Sequence, residues 1–399
     1  MSPSNGIRGR AAIAGFGHTA FGRRGEFAER GTLAMAVEAI ARACEDAGLS
    51  PREIDGFSGY SDDAATPAAL ASAFGCEQLR LCSMVWGGGG AGMAGAFLHA
   101  AMAIATGQAS VVAVHRSICQ AEGQRFGQAL AQARLPASMP ELSFTTPFGQ
   151  LSAAQMFALA ARRHMHLYGT SEDDFAEIAI NARLMAAANP LARFRDPITL
   201  EDHRASRPIA DPLRLLDCCM ESDVAGALVL VSAERARDLR QPPAYLRAAA
   251  MSSPYRWGQG MMGAGNMREA DYASAGQRGV AADLWRHAGL GPEDVDVALI
   301  YDHFTPMVLM GLEDFGFCKP GESAAFVKGG RIRAGGALPV NTHGGNLAEV
   351  YAHGVTHVME AVRQLRGRSC NPIEGCEVAL VVAGSGPTPT SALLLTRQP

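Results

Sequence analysis

Residues 46–60 read DAGLSPREIDGFSGY, and residues 287–301 read HAGLGPEDVDVALIY. Ala, Gly, Leu, Pro, Asp and Tyr recur in register, at an offset of 241 residues. Each copy follows an amphipathic helical stretch. In the first, Leu33, Ala36, Val37, Ile40, Ala41 and Cys44 fall at helical spacing and Gly48 stops the run. A second pair points the same way: a glycine turn, a helix, a glycine and then a strand. It spans Gly87–Val114 in the first half and Gly344–Ala383 in the second. Strands alternating with helices imply parallel-sheet layers. Two such halves imply a pseudo-twofold, with a site where they meet.

Outward from the repeat, Arg10–Phe16 and Val224–Ser232 read as strands. The stretch from about 118 to 215 differs and reads as a helical insertion, with Ala153–Leu167 and Ser171–Ala188 as its clear helices. Ser171 followed by Asp174 resembles a capping box. Gln241-Pro242-Pro243-Ala244 breaks either kind of element and marks a joint. The expected division is 1–240 and 241–399.

Composition narrows the function. The chain has 399 residues, 48% of them hydrophobic and 19% charged, which excludes disorder as the main state. A net charge of −4 without a basic block argues against nucleic-acid binding. No apolar run reaches the roughly 18 residues of a membrane span. Met1–Arg10 has no apolar signal core, so a cytoplasmic location is expected. Nine cysteines without a C-x-x-C pair read as reduced thiols, with neither a zinc site nor a disulfide framework. Gly90-x-Gly92-x-x-Gly95 matches a dinucleotide fingerprint, but residues 78–121 contain no Asp or Glu to meet a ribose. No phosphate loop appears. Neither a metal nor a cofactor is expected, beyond CoA as part of a substrate.

Five stretches carry a resemblance over nearly the whole chain: AAIAGFGHTAFGRR (11–24), HLYGTSEDDFAEIAINAR (166–183), SRPIADPLRLLDCCMESDVAGALVLV (206–231), YDHFTPMVLMGLEDFGFCKPGES (301–323) and LPVNTHGGNLAEVYAHG (338–354). Together they resemble the thiolase superfamily, in its lipid-transfer and sterol-carrier branch. The resemblance implies a duplicated α/β fold layered α-β-α-β-α, dimeric, acting on acyl-CoA. The departures are informative. The family's nucleophilic Cys falls on Gly89 here. The His of its G-H-P-x-G motif falls on Tyr351, the Asn or His of its third block falls on Tyr301, and its C-terminal C-x-G pattern becomes Ala383-Gly384-Ser385-Gly386-Pro387, without cysteine.

Lost thiols with tyrosines at two functional positions resemble the thiolase-fold aldolases of steroid side-chain degradation. That resemblance implies retro-aldol cleavage of a steroid β-hydroxyacyl-CoA with a tertiary hydroxyl, giving a ketone and propionyl-CoA or a similar short acyl-CoA. It also implies a partner on another chain, carrying an OB-fold and a zinc ribbon, docked on a homodimer to give a heterotetramer. Retro-aldol chemistry needs a base for the hydroxyl proton, donors for the enolate and an acid for its carbon. Tyr301 and Tyr351 are candidates for acid and base, with Asp302, His303 and His343 to tune or relay. Gly89, Gly90, Gly344, Gly345 and Asn341 are candidates for substrate contact. Two other readings stand beside this one: a thiolase using another cysteine such as Cys82, and a non-catalytic acyl-CoA or lipid carrier.

Overall fold

A computed structural model of the chain describes residues 6–61, 63–86, 88–123, 146–253, 269–386 and 389–399. Its strands are β1 (Ala11–His18), β2 (Gly22–Arg23), β3 (Gly56–Tyr60), β4 (Leu81–Val85), β5 (Val112–Cys119), β6 (Pro208–Ala210), β7 (Leu213–Arg214), β8 (Ser222–Ser232), β9 (Ala244–Ser252), β10 (Val297–Ile300), β11 (Val378–Val382) and β12 (Thr390–Thr396).

The two copies of the repeat fold alike. Helices Gly31–Ala47 and Arg278–Ala288 each end on a left-handed glycine, Gly48 (φ 77°) and Gly289 (φ 64°). A single 3-10 turn with Pro at its start follows in both, Pro51–Glu53 and Pro292–Asp294. The repeated aspartates then do one job. Asp55 accepts from the backbone N–H groups of Ser110 and Val111, and Asp296 from those of Glu377 and Val378. Each carboxylate thereby fixes the start of the neighbouring parallel strand, β5 or β11.

The strands run in the order β4-β3-β5-β8-β1 in the first half and β9-β12-β11-β10 in the second. A short seam, Ala12 with Tyr245 and Ile13 with Ala244, joins β1 to β9. Side-chain alternation separates the layers. One face of the first sheet (Val112, Val114, Leu228, Leu230) and one face of the second (Leu299, Val381, Leu393, Leu395) share a single buried cluster with helices Met93–Ala105 and Val355–Leu365. The opposite face of the first sheet packs on helix Gly31–Ala47. That of the second packs on Arg278–Ala288 and Thr305–Asp314. The order across the molecule is therefore helix, sheet, inner helices, sheet, helix, as the resemblance implies. Val355–Leu365 has no solvent-facing side, which explains an apolar run interrupted by buried polar residues.

The inserted region contributes helices Ala153–Tyr168, Glu172–Ala187 and Leu200–Ala205 and the β6–β7 ribbon. Ile118 and Cys119, expected at its start, instead end β5. Asp174 accepts from both the backbone N–H and the hydroxyl of Ser171, the reciprocal cap expected there. Among the described residues no helix is long and apolar enough to cross a membrane.

Candidate active site

The site forms where strand ends and glycine turns of both halves converge around Tyr301. β10 ends at Ile300, and the Tyr301 N–H still donates to Val382, which turns the phenol inward. One edge of its ring lies on bare backbone. A Cβ at Gly90 would fall 2.3 Å from Tyr301 Cε2, and one at Gly354 would fall 3.1 Å from Cδ2. Gly90 belongs to the first half and Gly354 to the second, so a full-sized phenol here requires glycine on both sides of the interface. The Tyr301 hydroxyl donates to that of Tyr351 at 3.0 Å. Both side chains are buried, at 4% and 7% exposure. Burial, and then the neighbouring Tyr351, push the Tyr301 phenol well above its usual range. It stays protonated at neutral pH.

Asp302 and His303 part company. Asp302 turns away from the phenols and accepts from the backbone N–H groups of Asn346 and Leu347 at 2.8 and 3.3 Å. It also meets His357 Nε2 at 3.1 Å. It thus ties the end of β10 to the turn that leads to Tyr351, a clasp rather than the expected proton relay. His303 lies beside Tyr301, with ring centroids 5.0 Å apart, and edge-on to Phe157 at 4.3 Å. Burial lowers its pKa to about 3, so it is a neutral ring in the wall of the site.

The other expected residues mostly face the scaffold. Asn341, at a left-handed φ of 51°, uses both ends of its amide on Ile300: Oδ1 accepts from the N–H and Nδ2 donates to the carbonyl. These two bonds make Asn341 a brace for the end of β10. A Cβ at Gly345 would fall 2.0 Å from Asp302 Oδ2, and one at Gly344 would fall 2.8 Å from Ala186 Cβ. These two glycines serve the clasp and the packing of helix Glu172–Ala187. His343 is fully buried with its ring edge-on to His357 at 4.8 Å, and its Nε2 is 3.7 Å from Glu349. Burial, and then His357 and Arg363, hold it neutral. Gly89 differs: at φ 56° its Cβ direction meets nothing within 4 Å among the described residues. Open space stands where the resemblance places a nucleophile.

Several site residues lie beyond the sequence-based expectation. Tyr60, the repeat mate of Tyr301, donates its hydroxyl to the His353 carbonyl at 3.0 Å. Arg116 projects from β5 and donates through Nε to His353 Nδ1 at 2.9 Å, with Asp63 3.2 Å from its Nη1. An arginine in the strand that begins with the apolar run Val112–Val114 was the available signal for it. Cys219 donates its backbone N–H to the His303 carbonyl, and burial raises its thiol well above the usual range. Cys82 is exposed on the edge strand β4. On the insertion, Arg162 pairs with Asp211, and His164 is buried between Thr170 and Glu313.

Three comparisons bear on this arrangement. Residues 258–397 match the family described as thiolase C-terminal domain-like. The 17-hydroxy-3-oxo-4-pregnene-20-carboxyl-CoA lyase of Mycobacterium tuberculosis is 46% identical over 396 residues, covering 98% of this chain and all of that one. The steroid side-chain-cleaving aldolase of Thermomonospora curvata is 44% identical, covering 98% of both. A solved structure of the Ltp2–ChsH2(DUF35) aldolase superposes with a TM-score of 0.89 at 41% identity, covering 98% of each chain. This chain belongs to the thiolase superfamily. Its site pairs two buried phenols.

The tight fit predicts that Gly90→Ala lowers turnover about 10²-fold, as misplacement of a catalytic group by about 1 Å does, with the circular dichroism spectrum unchanged. A second expectation concerns Glu349, which burial raises to about 7 despite the nearby Arg363. The folded chain holds this proton more tightly than the unfolded one. The group's contribution to stability is therefore present below its unfolded pKa of about 4.3 and lost as pH rises through about 7. Denaturant titrations of Glu349→Gln at pH 5 and pH 8 are expected to show a gain over wild type that is larger at pH 8.

Proposed function

We propose that this chain is a carbon–carbon lyase that cleaves a steroid β-hydroxyacyl-CoA by retro-aldol chemistry. The observation that carries the reading is the phenol pair, Tyr301 and Tyr351, hydrogen-bonded at 3.0 Å. A Claisen-type acyl transfer needs a thiolate. Retro-aldol cleavage instead needs a proton taken from a hydroxyl oxygen and a proton given to a carbon.

Two neutral phenols can do both without either becoming a free phenolate. In this reading the β-hydroxyl proton moves to Tyr301 as Tyr301 passes its own proton to Tyr351. The hydroxyl oxygen's electrons form the ketone, and the bond between the α- and β-carbons breaks. The released electron pair forms the thioester enolate, and Tyr351 gives its original proton to the α-carbon. Atoms and charges balance, and both phenols end protonated. For a substrate like that named for the Mycobacterium tuberculosis relative, the products are a 17-ketosteroid and propionyl-CoA. The open space at Gly89 gives the thioester a place to lie. The reading calls on no cofactor besides the CoA moiety of the substrate.

We also infer that the working form is a homodimer with a second protein docked on it. Edge strand β4 supports the dimer. One of its edges is unpaired among the described residues, and Met84 within it and Trp86 directly after it are 38% and 68% exposed. An apolar open edge invites pairing with a second copy. The solved two-component aldolase supports the docked partner, for which the resemblance implies an OB-fold and a zinc ribbon.

Cleavage of a 17-hydroxy steroid acyl-CoA should yield ketone and propionyl-CoA, assayed with this chain alone and with the OB-fold protein. Tyr301→Phe and Tyr351→Phe are each expected to lower kcat about 10²- to 10⁴-fold, the usual worth of a positioned acid or base, while Cys82→Ala keeps wild-type rates. In D2O the relay needs both phenols, so cleavage should leave one deuterium at the α-carbon of propionyl-CoA, and neither Phe variant should reach the wild-type rate. Loss of activity only in Cys82→Ala would overturn the reading. For the dimer, Met84→Arg is expected to sediment as a monomer.

A further inference from the structure

The tautomer of one histidine is fixed by a residue that can only donate. Arg116 Nε donates to His353 Nδ1 at 2.9 Å, and a guanidinium has no acceptor. His353 Nδ1 therefore carries no proton, and in the neutral ring the proton sits on Nε2. The groups around the ring hold it in this state. Arg116 stands on one side with Asp63 behind it, and Tyr351 lies edge-on with ring centroids 5.0 Å apart. Burial, and then Arg116 and His303, keep the ring neutral. For Nε2 to serve as a base, a proton would have to move to Nδ1, against the guanidinium. Among the described residues nothing accepts a hydrogen bond from Nε2.

His353 is also held in a conformation that such residues rarely adopt, with φ 50°. Positive φ in a non-glycine residue is uncommon and persists where surrounding contacts over-determine it. Here both contacts come from the other half of the chain: Tyr60 on the carbonyl and Arg116 on the ring. The strained residue stands two positions after Tyr351 and directly before Gly354, whose backbone packs on the Tyr301 ring. A neutral N–H donor fixed beside the phenol pair suits a developing enolate oxygen, because its charge is stabilised without any group having to titrate.

We propose that His353, locked by Arg116 as its Nε2–H tautomer, donates a hydrogen bond to the thioester oxygen of the bound acyl-CoA. The proposal rests on the retro-aldol reading for its reaction, but the contact is with the thioester alone and is tested separately. Arg116 is a positioning residue, acting through His353.

Propionyl-CoA labelled with 13C at the carbonyl is bound to the full chain, and its stretch is read by difference infrared spectroscopy. Wild type is expected to shift the stretch to lower frequency than in solution. His353→Gln, whose amide N–H reaches the place of Nε2, should keep the shift, and the shorter His353→Asn should lose it. With the steroid thioester, His353→Asn should lose about 10²- to 10³-fold in kcat, as loss of an oxyanion donor does, and His353→Gln far less. Arg116→Met should add an acidic limb to the pH–rate profile, as Nδ1 becomes free to protonate, and Arg116→Lys should remove that limb. 15N NMR of the His353 ring should show Nδ1 bare and Nε2 protonated from pH 5.5 to 8.5. The proposal is overturned if the wild-type stretch equals that of His353→Asn, if propionyl-CoA does not bind, or if Nδ1 carries the proton. A persistent shift without steroid cleavage would sink the lyase reading alone.

Discussion

The site depends on one carboxylate. Asp302 follows Tyr301 in the chain and accepts from Asn346, Leu347 and His357, three donors on the segments that flank Tyr351. An unpaired carboxylate at this depth would be costly to bury, and charge-assisted hydrogen bonds from fixed donors offset that cost. The result is a rigid link between the end of β10 and the turn before the second inner helix. The separation of the two phenols is set by this link more than by their own hydrogen bond, which is a single contact between neutral groups. Gly345 is part of the same link, because a Cβ there would overlap the carboxylate.

With the phenols fixed, the rest of the site follows from their size and their neutrality. Tyr301 needs bare backbone at Gly90 and Gly354. Burial keeps its proton on, which rules it out as a free phenolate base at neutral pH. The proposed relay of neutral phenols keeps to that constraint, and it suits a reaction whose first and last steps are proton transfers from and to the same substrate. The surrounding histidines are consistent with that. His303, His343 and His353 are all held neutral by burial. In the proposed reading His353, edge-on to Tyr351, acts as a dipole with a fixed donor and not as a titrating base.

Much of the fold was legible in the sequence because the repeat is built from local signals. Left-handed glycines, prolines at the start of 3-10 turns and a strand-fixing aspartate act within a few residues of themselves. Tyr301 and Tyr351 were legible by their places in recurring motifs. What the sequence hid was direction and partnership across the interface. Asp302 and Tyr301 are neighbours in a strand-end turn, and adjacent side chains there point apart, so adjacency suggested a relay where the structure has a clasp. Asn341 carried a motif position, but both ends of its amide bond the backbone of Ile300. Arg116 and His353 are 237 residues apart. No local pattern joins them, and only the packing of the two halves does.

The glycines separate what packing demands from what chemistry chose. At Gly90, Gly345 and Gly354 a side chain would run into Tyr301 or Asp302, so these positions follow from the phenol and the clasp. At Gly89 nothing among the described residues stands in the way of a Cβ. Only the positive φ disfavours a side chain there, and His353 shows that this site tolerates such a φ in a non-glycine residue when contacts hold it. Packing therefore does not account for the missing nucleophile. An empty position facing open space, beside two phenols that fill their own space completely, is the arrangement expected of a site that moves protons and forms no acyl-enzyme bond.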